Sequence, residues 1–176
     1  MEASDGRRGK GPRGLAAPHV GGHHRTSMEE LFRSEFAVVT RESGFIRVRR
    51  TTTAMVVAGA SVILDRLASE FRLCVPLRER KGLGVMLDTR DAPMMTDDTG
   101  MDIIRPLMME VLMGFPRNAI LVKTAVGKLQ ATRRSREEAS AGRVLIPVFD
   151  DEAQAIAHLR GEEPPAPSPR SSSPKR

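Results

Sequence analysis

Residues 82–88, Gly82-Leu83-Gly84-Val85-Met86-Leu87-Asp88, carry the reading of the fold. Leu83 to Leu87 is a continuous apolar run that follows Lys81-Gly82 and stops at an acid. Alternation is absent, as expected of a strand covered on both faces. Such a strand belongs inside an α/β sheet, and its neighbours in sequence bear this out as a pattern. From Thr53 to Phe71 the residues Val56, Ala60, Ile63, Leu64, Leu67 and Phe71 recur at three- and four-residue spacing, while Asp65, Arg66, Ser69 and Glu70 lie mostly off that stripe. This predicts an amphipathic helix packed on a sheet.

Downstream, Thr99 to Met113 predicts a second helix with Ile103, Ile104, Leu107, Met108, Val111 and Leu112 as its apolar face. Pro106 disturbs such a helix because it has no N–H, unless the helix starts near Ile103 and the proline falls in its first turn. Ala119 to Val122 predicts a strand, Ala125 to Ala139 a helix, Val144 to Phe149 a strand and Asp151 to Leu159 a closing helix capped by Asp150 or Asp151. Upstream, Phe36 to Thr40 and Phe45 to Arg50 predict a hairpin turning at Gly44, which can supply positive φ. In its second strand Ile46 and Val48 alternate with Arg47 and Arg49, the pattern of one face in water. Ser27-Met28-Glu29-Glu30 has capping-box spacing and predicts a short helix carrying Leu31 and Phe32. The expected fold is α/β, with a mixed, mostly parallel sheet opened by an antiparallel hairpin and joined by crossover helices.

The chain has 176 residues, 40% of them hydrophobic, enough for one domain with a core. Residues 1–27 and 161–176 lack apolar periodicity, the first rich in Gly, Arg and His and the second in Pro and Ser, and both read as disordered tails around a domain at 28–160. These tails hold four of the six excess positive charges, so the domain carries only +2. With 3% aromatic residues and no Trp or Tyr, stacking platforms for single-stranded nucleic acid are scarce, and nucleic-acid binding is expected only through the basic tails. A single cysteine, Cys74, excludes an intramolecular disulfide and a multi-thiolate zinc site, and reads as a small buried residue. No run approaches a membrane span, so the expected compartment is the cytoplasm. His19, His23 and His24 lie in the first tail without preorganised ligand spacing, and no nucleotide loop or Ser/His/Asp pattern is present. Neither a metal nor a cofactor is expected.

The stretch Val85-Met86-Leu87-Asp88-Thr89-Arg90-Asp91-Ala92-Pro93-Met94-Met95-Thr96-Asp97-Asp98-Thr99-Gly100-Met101 resembles the STAS family, named for sulfate transporters and anti-sigma factor antagonists, and the lipid-carrier-like domains sharing its fold. In that family a buried strand ends in Asp, a loop follows, and an Asp-Ser-Ser-Gly-like turn starts the next helix. Here Asp88 is the strand-end acid and Asp97-Asp98-Thr99-Gly100 replaces the turn. The resemblance covers residues 36–160 as topology and this loop alone as sequence. It implies a non-catalytic regulatory module that binds a partner protein through the acidic loop and the helix after it. Met94, Met95, Asp97, Asp98, Thr99, Gly100 and Met101 are the implied contacts. The phosphorylated hydroxyl of the family falls at Asp98, a carboxylate with less charge than a phosphoserine. Thr99 is then either a phosphoacceptor or a helix N-cap.

Two other chemistries fit the strand ends. Asp88 and Arg90 after one strand, with Lys123 and Thr124 after the next, form a rim that could hold a phosphate, a carboxylate or a lipid head group, since ligands of open α/β sheets sit beyond the carboxyl ends of strands. The structural alternative is an Asp88–Lys123 salt bridge with Thr124 capping the next helix. A phosphoryl-transfer enzyme built on Asp88 is a third reading, lacking the extra acids that an aspartyl-phosphate site needs. Lys123, Lys128, Arg133, Arg134 and Arg136 make the following helix basic, with Val126 and Leu129 as its apolar contacts. That face suits an acidic partner, an anionic lipid or plain solvent.

Overall fold

The computed structural model describes residues 28–53, 60–93 and 98–162. The first expected tail, residues 163–176 of the second, and Val56 of the first helical stripe lie outside these residues, whereas Gly161 and Glu162, expected in the second tail, close α5, their N–H groups donating to the His158 and Ala157 carbonyls. Six strands form one sheet in sequence order: β1 (Glu29–Arg33), β2 (Ala37–Glu42), β3 (Phe45–Arg50), β4 (Gly84–Asp88), β5 (Arg117–Leu121) and β6 (Val148–Phe149). β1, β2 and β3 pair antiparallel, and β3 through β6 pair parallel. The mixed α/β sheet opened by a hairpin is therefore present. Gly44, at φ +88°, turns β2 into β3, with Glu42 and Phe45 paired across the turn.

The helices are α1 (Ala60–Cys74), α2 (Leu77–Arg80), α3 (Asp98–Leu112), α4 (Ala125–Ser140) and α5 (Glu152–Arg160). Each parallel crossover steps to the next strand in the same direction, and crossovers of one hand place their helices on one face. There α1 and α3 pack on Ile46, Val48, Val85 and Leu87 through Phe71, Val75, Val111, Leu112 and Phe115. An Arg105–Glu138 ion pair of 3.4 Å sets α4 beside α3. The other face holds the intervening residues of the same strands, Phe45, Met86, Ala119 and Leu121, covered by Ala155 and Leu159 of α5. The apolar run of β4 is continuous because Val85 and Leu87 face one layer and Met86 the other.

Local signals fail where tertiary pairing competes. The capping-box segment is strand β1, not a short helix. Its pairing with β2 slips between Glu30 and Phe32, so adjacent Leu31 and Phe32 both reach the α1 side of the core. A four-residue motif cannot outweigh a ladder that covers apolar surface. α3 begins at Asp98, so Pro106 lies inside it and not in a first turn near Ile103. The side chains of Ile104 and Leu107 hold that stretch against Ala60 and Leu64. The last strand is shorter than Val144 to Phe149, because Ile146 bonds the Ser135 hydroxyl in both directions at 2.8 Å and Pro147 has no N–H to offer a ladder. Met109 and Met113 are half exposed, and Cys74 is only partly buried, 3.9 Å from the Leu31 carbonyl.

α2 has no sequence precedent in the apolar pattern, and it carries the most buried charge. Arg80 is 0% exposed and stacks on Phe71 and Phe115, its guanidinium carbon 4.9 and 5.4 Å from their ring centres. It donates to the carbonyls of Val75, Glu110 and Met113 and to the Glu110 carboxylate. These carbonyls lie at or just past the ends of α1 and α3, where backbone acceptors are orphaned and a cation is favoured. Arg72 first and Arg80 second hold the Glu110 carboxyl below its ordinary value against burial. Arg80→Met should therefore lower unfolding free energy by about 3 kcal/mol, the scale for breaking a buried, hydrogen-bonded charge, as read from urea denaturation. Arg72→Met, on the exposed side of the same carboxylate, should change the midpoint little. Equal midpoints for the two variants would remove Arg80 from this role.

Candidate functional site

β4 ends at Asp88, and strand alternation turns that side chain toward α5, the face shared by Met86. Its carboxylate is 1% exposed and needs compensating charge. Arg90 bends back over it: the backbone N–H donates to Oδ1 at 3.2 Å, Nε to Oδ1 at 2.9 Å and Nη2 to Oδ2 at 2.7 Å. Arg47 donates from β3 to Oδ2 at 3.2 Å. Both arginines also reach Glu152, the first residue of α5, Arg47 at 2.6 Å and Arg90 at 2.7 Å. Arg47 further holds Glu42 at 2.5 Å across the hairpin. Two guanidiniums with Asp88 and Glu152 thus close the strand ends beneath the N-terminus of α5, whose N-cap Asp151 accepts from the Gln154 N–H at 3.1 Å, while Glu42 holds Arg47 from the hairpin end of the sheet.

Burial pushes the Asp88 carboxyl up, but hydrogen bonds from Arg90 and Arg47 more than offset it and hold the group below its ordinary value. Glu152 is lowered in the same way, burial opposed by Arg47 and Arg90. Arg90 is raised, first by its hydrogen bonds to Asp88. Thr40, paired across the strands with Arg47, is buried and its hydroxyl has no partner among the described residues.

The rim predicted from sequence is half assembled. Asp88 and Arg90 meet, but their donors and acceptors are directed to each other and to Glu152. Thr124 caps α4, accepting from the Gly127 N–H at 3.0 Å. Lys123 is exposed and makes no ion pair with a described residue, so the expected Asp88–Lys123 bridge is replaced by Arg47 and Arg90. Sequence reasoning missed Arg47 because alternation placed it on a solvated face. It is 11% exposed, whereas Arg49 two residues on is exposed. Only the return of α5, more than a hundred residues later in the chain, covers the first and not the second.

On α4, Val126 and Leu129 face solvent, Leu129 with 73% exposure, and are not the apolar contacts expected of them. The helix is held instead by Ser135, by Lys128–Asp150 and by Arg105–Glu138. Arg133 pairs along the helix with Glu137. His158 places Nε2 3.2 Å from the Asn118 carbonyl, with its ring against Phe149. Met94, Met95 and Asp97 lie outside the described residues, as do the side chains of Asp98, Thr99, Gly100 and Met101. The backbone of Thr99 lies inside α3 rather than at its cap. No helix among the described residues is long and apolar enough to cross a membrane, and no three His, Cys, Asp or Glu side chains among them form a metal-holding group. Compared with known proteins, the chain matches no family model, no curated protein and no solved structure.

The lowered carboxyls carry a pH signature. A group depressed by folding contributes stability above its unfolded value and loses it as pH falls through the folded one. Stability should therefore fall steeply below about pH 4, the ordinary carboxylate range, in denaturant titrations repeated across pH. Asp88→Asn should cost about 3 kcal/mol at neutral pH, as expected for breaking a buried pair, and should flatten that acid limb. An unchanged limb in the variant would assign the acid sensitivity to other groups.

Proposed function

We propose that the chain is a non-catalytic regulatory module of STAS type, acting in the cytoplasm, that binds a partner protein through residues 89–100 and the start of α3. One observation carries this reading: the segment between β4 and α3 is anchored at both ends. At its start, the N–H and the hydroxyl of Thr89 both bond the Leu121 carbonyl, and Arg90 is fixed on Asp88 and Glu152. At its end, Ile104 of α3 packs on Ala60 and Leu64 of α1. A segment held at both ends loses less conformational freedom on binding than a free one, which favours affinity. Val62, exposed near the start of α1 at the same end of the helix pair, adds apolar surface.

Asp97 and Asp98 supply charge to this surface, and Met94, Met95 and Met101 supply adaptable apolar contact. Thr99 is the position at which phosphorylation would change it, since a phosphate in the first turn of α3 meets the positive end of the helix dipole. A small ligand at Asp88, Arg90, Lys123 and Thr124 draws less support, because the first two saturate each other and the last two stand apart. Phosphoryl transfer on Asp88 meets the same objection: its oxygens are occupied by guanidinium donors.

The test is capture of a partner by the full chain, with the captured protein identified and its affinity measured. Asp98→Lys should weaken that affinity about tenfold or more, as for a central interface charge, with the circular-dichroism spectrum unchanged. Equal affinity for the variant would overturn the proposal, as would a small molecule seen by native mass spectrometry that Arg90→Gln releases.

A further inference from the structure

Most cations of the described residues are spoken for. Arg33, Arg41, Arg47, Arg66, Arg72, Arg80, Arg90, Arg105, Lys128, Arg133 and Arg143 each sit in an ion pair. Among the others, which include Arg49, Arg78, Lys123 and Arg136, only Lys81, Arg117 and Arg160 come together, lining one cavity of about 470 Å3. It lies at the opposite end of the sheet from Asp88, beside the first residues of β4 and β5. Leu83, Pro116 and Leu159 line it with apolar surface, Ser43, Gly44 and Gly82 with small residues, and Glu162 is the one acid among the described lining residues.

The backbone around the cavity favours an ordered site over three loose chains. Arg160 donates from Nε to the Ser43 carbonyl at 3.3 Å, and its terminal guanidinium nitrogens make no hydrogen bond to another described residue. Arg117 lies directly on Gly161, whose Cβ, if it had one, would meet Nη2 at 2.5 Å. Gly161 closes α5 at φ +74°, a conformation that glycine adopts without strain. Three cations against one acid among the described lining residues raise the local potential, and arginine forks match the oxygens of a phosphate.

We propose that this cavity binds a phosphate monoester or diphosphate group. Two arginine forks and one ammonium grip the oxygens, while the apolar lining takes the adjoining carbon skeleton. Position and residues are independent of the partner surface on α3, so either can fail without the other.

Inorganic pyrophosphate is the probe, titrated calorimetrically into the full chain at physiological ionic strength. Vesicles of phosphatidylcholine containing phosphatidic acid form a second arm that presents the same group on a lipid. Gly82→Glu is the sharpest variant: a Cβ there meets nothing within 4 Å, its φ lies outside the left-handed region, and it brings a carboxylate to the cavity. Both Gly82→Glu and the triple variant Lys81→Gln, Arg117→Gln, Arg160→Gln should weaken binding about tenfold or more, as loss of charge-assisted contacts does. A control with Lys123→Gln and Arg136→Gln, which removes exposed cations elsewhere, should bind as the parent does. Saturable binding of pyrophosphate with this pattern supports a soluble ligand, and the same pattern on vesicles alone supports a lipid-borne one. No saturable binding in either arm, or an equal loss in the control, overturns the proposal.

Discussion

A carboxylate at the end of a central strand, 1% exposed, is the constraint from which the arrangement of this protein follows. Desolvating Asp88 is unfavourable unless cations meet it with good geometry, and a buried pair stabilises only when its remaining donors and acceptors are also satisfied. Arg90 meets it from the chain immediately downstream and Arg47 from the neighbouring strand. Their remaining donors then call for more acceptors, which Glu42 supplies from the hairpin and Glu152 from α5. The network therefore joins elements that apolar packing alone would leave free to slide: the hairpin, the centre of the sheet and the last helix. Arg47 also lies 5.7 Å from the centre of the Phe45 ring, where the polar cluster borders the apolar layer under α5.

Arg80 plays the corresponding part on the opposite face, with the signs reversed. There a buried cation meets backbone carbonyls at helix ends, and the aromatic rings of Phe71 and Phe115 replace water around it. Each face of the sheet thus has one charge fully removed from solvent, and each charge fixes where the covering helices end or begin. Apolar burial is non-directional and would tolerate a range of helix positions. Directional contacts to a single buried group narrow that range, which is how a sheet with α5 on one side and the crossover helices on the other acquires a defined register.

How much of this could be read from the chain depends on the distance over which each signal acts. Leu83 to Leu87, the stripe ending at Phe71 and the caps at Thr124 and Asp151 are local patterns, and the elements they predict are present. Residues 28–32 carried a local helix signal that pairing with β2 overrode. Arg47 and Arg80 were illegible for a related reason. An arginine among exposed-looking neighbours reads as surface, and only contacts 105 residues away for Arg47 and 30 for Arg80 show otherwise. Lys123 is the converse case. It follows a strand adjacent to the one that ends at Asp88, yet adjacency of strands does not bring side chains together once Arg90, two residues from the acid, has folded over it. The short range of that competitor is what made the Asp88–Lys123 pairing lose.

Charge distribution ties the two ends of the sheet together. The domain at 28–160 has a formal excess of only +2, and composition alone suggests that its surface is close to neutral everywhere. The pairing pattern says otherwise, because neutralisation is concentrated. At the carboxyl ends of the parallel strands Asp88 and Glu152 absorb Arg47 and Arg90, which leaves Lys123 as an isolated exposed cation on a rim where open α/β sheets ordinarily present a ligand site. At the amino ends, Lys81, Arg117 and Arg160 line a shared cavity with Glu162 as the one acid among its described residues. Electrostatic focusing depends on local convergence and not on net charge, so a nearly balanced domain can still present one anion-selective concavity. Glu42, though beside Ser43 and Gly44 in the chain, is held by Arg47 and turned to the network on Asp88. The two ends of the sheet thus differ in kind: one is closed by paired charge, and the other gathers three cations about one described acid.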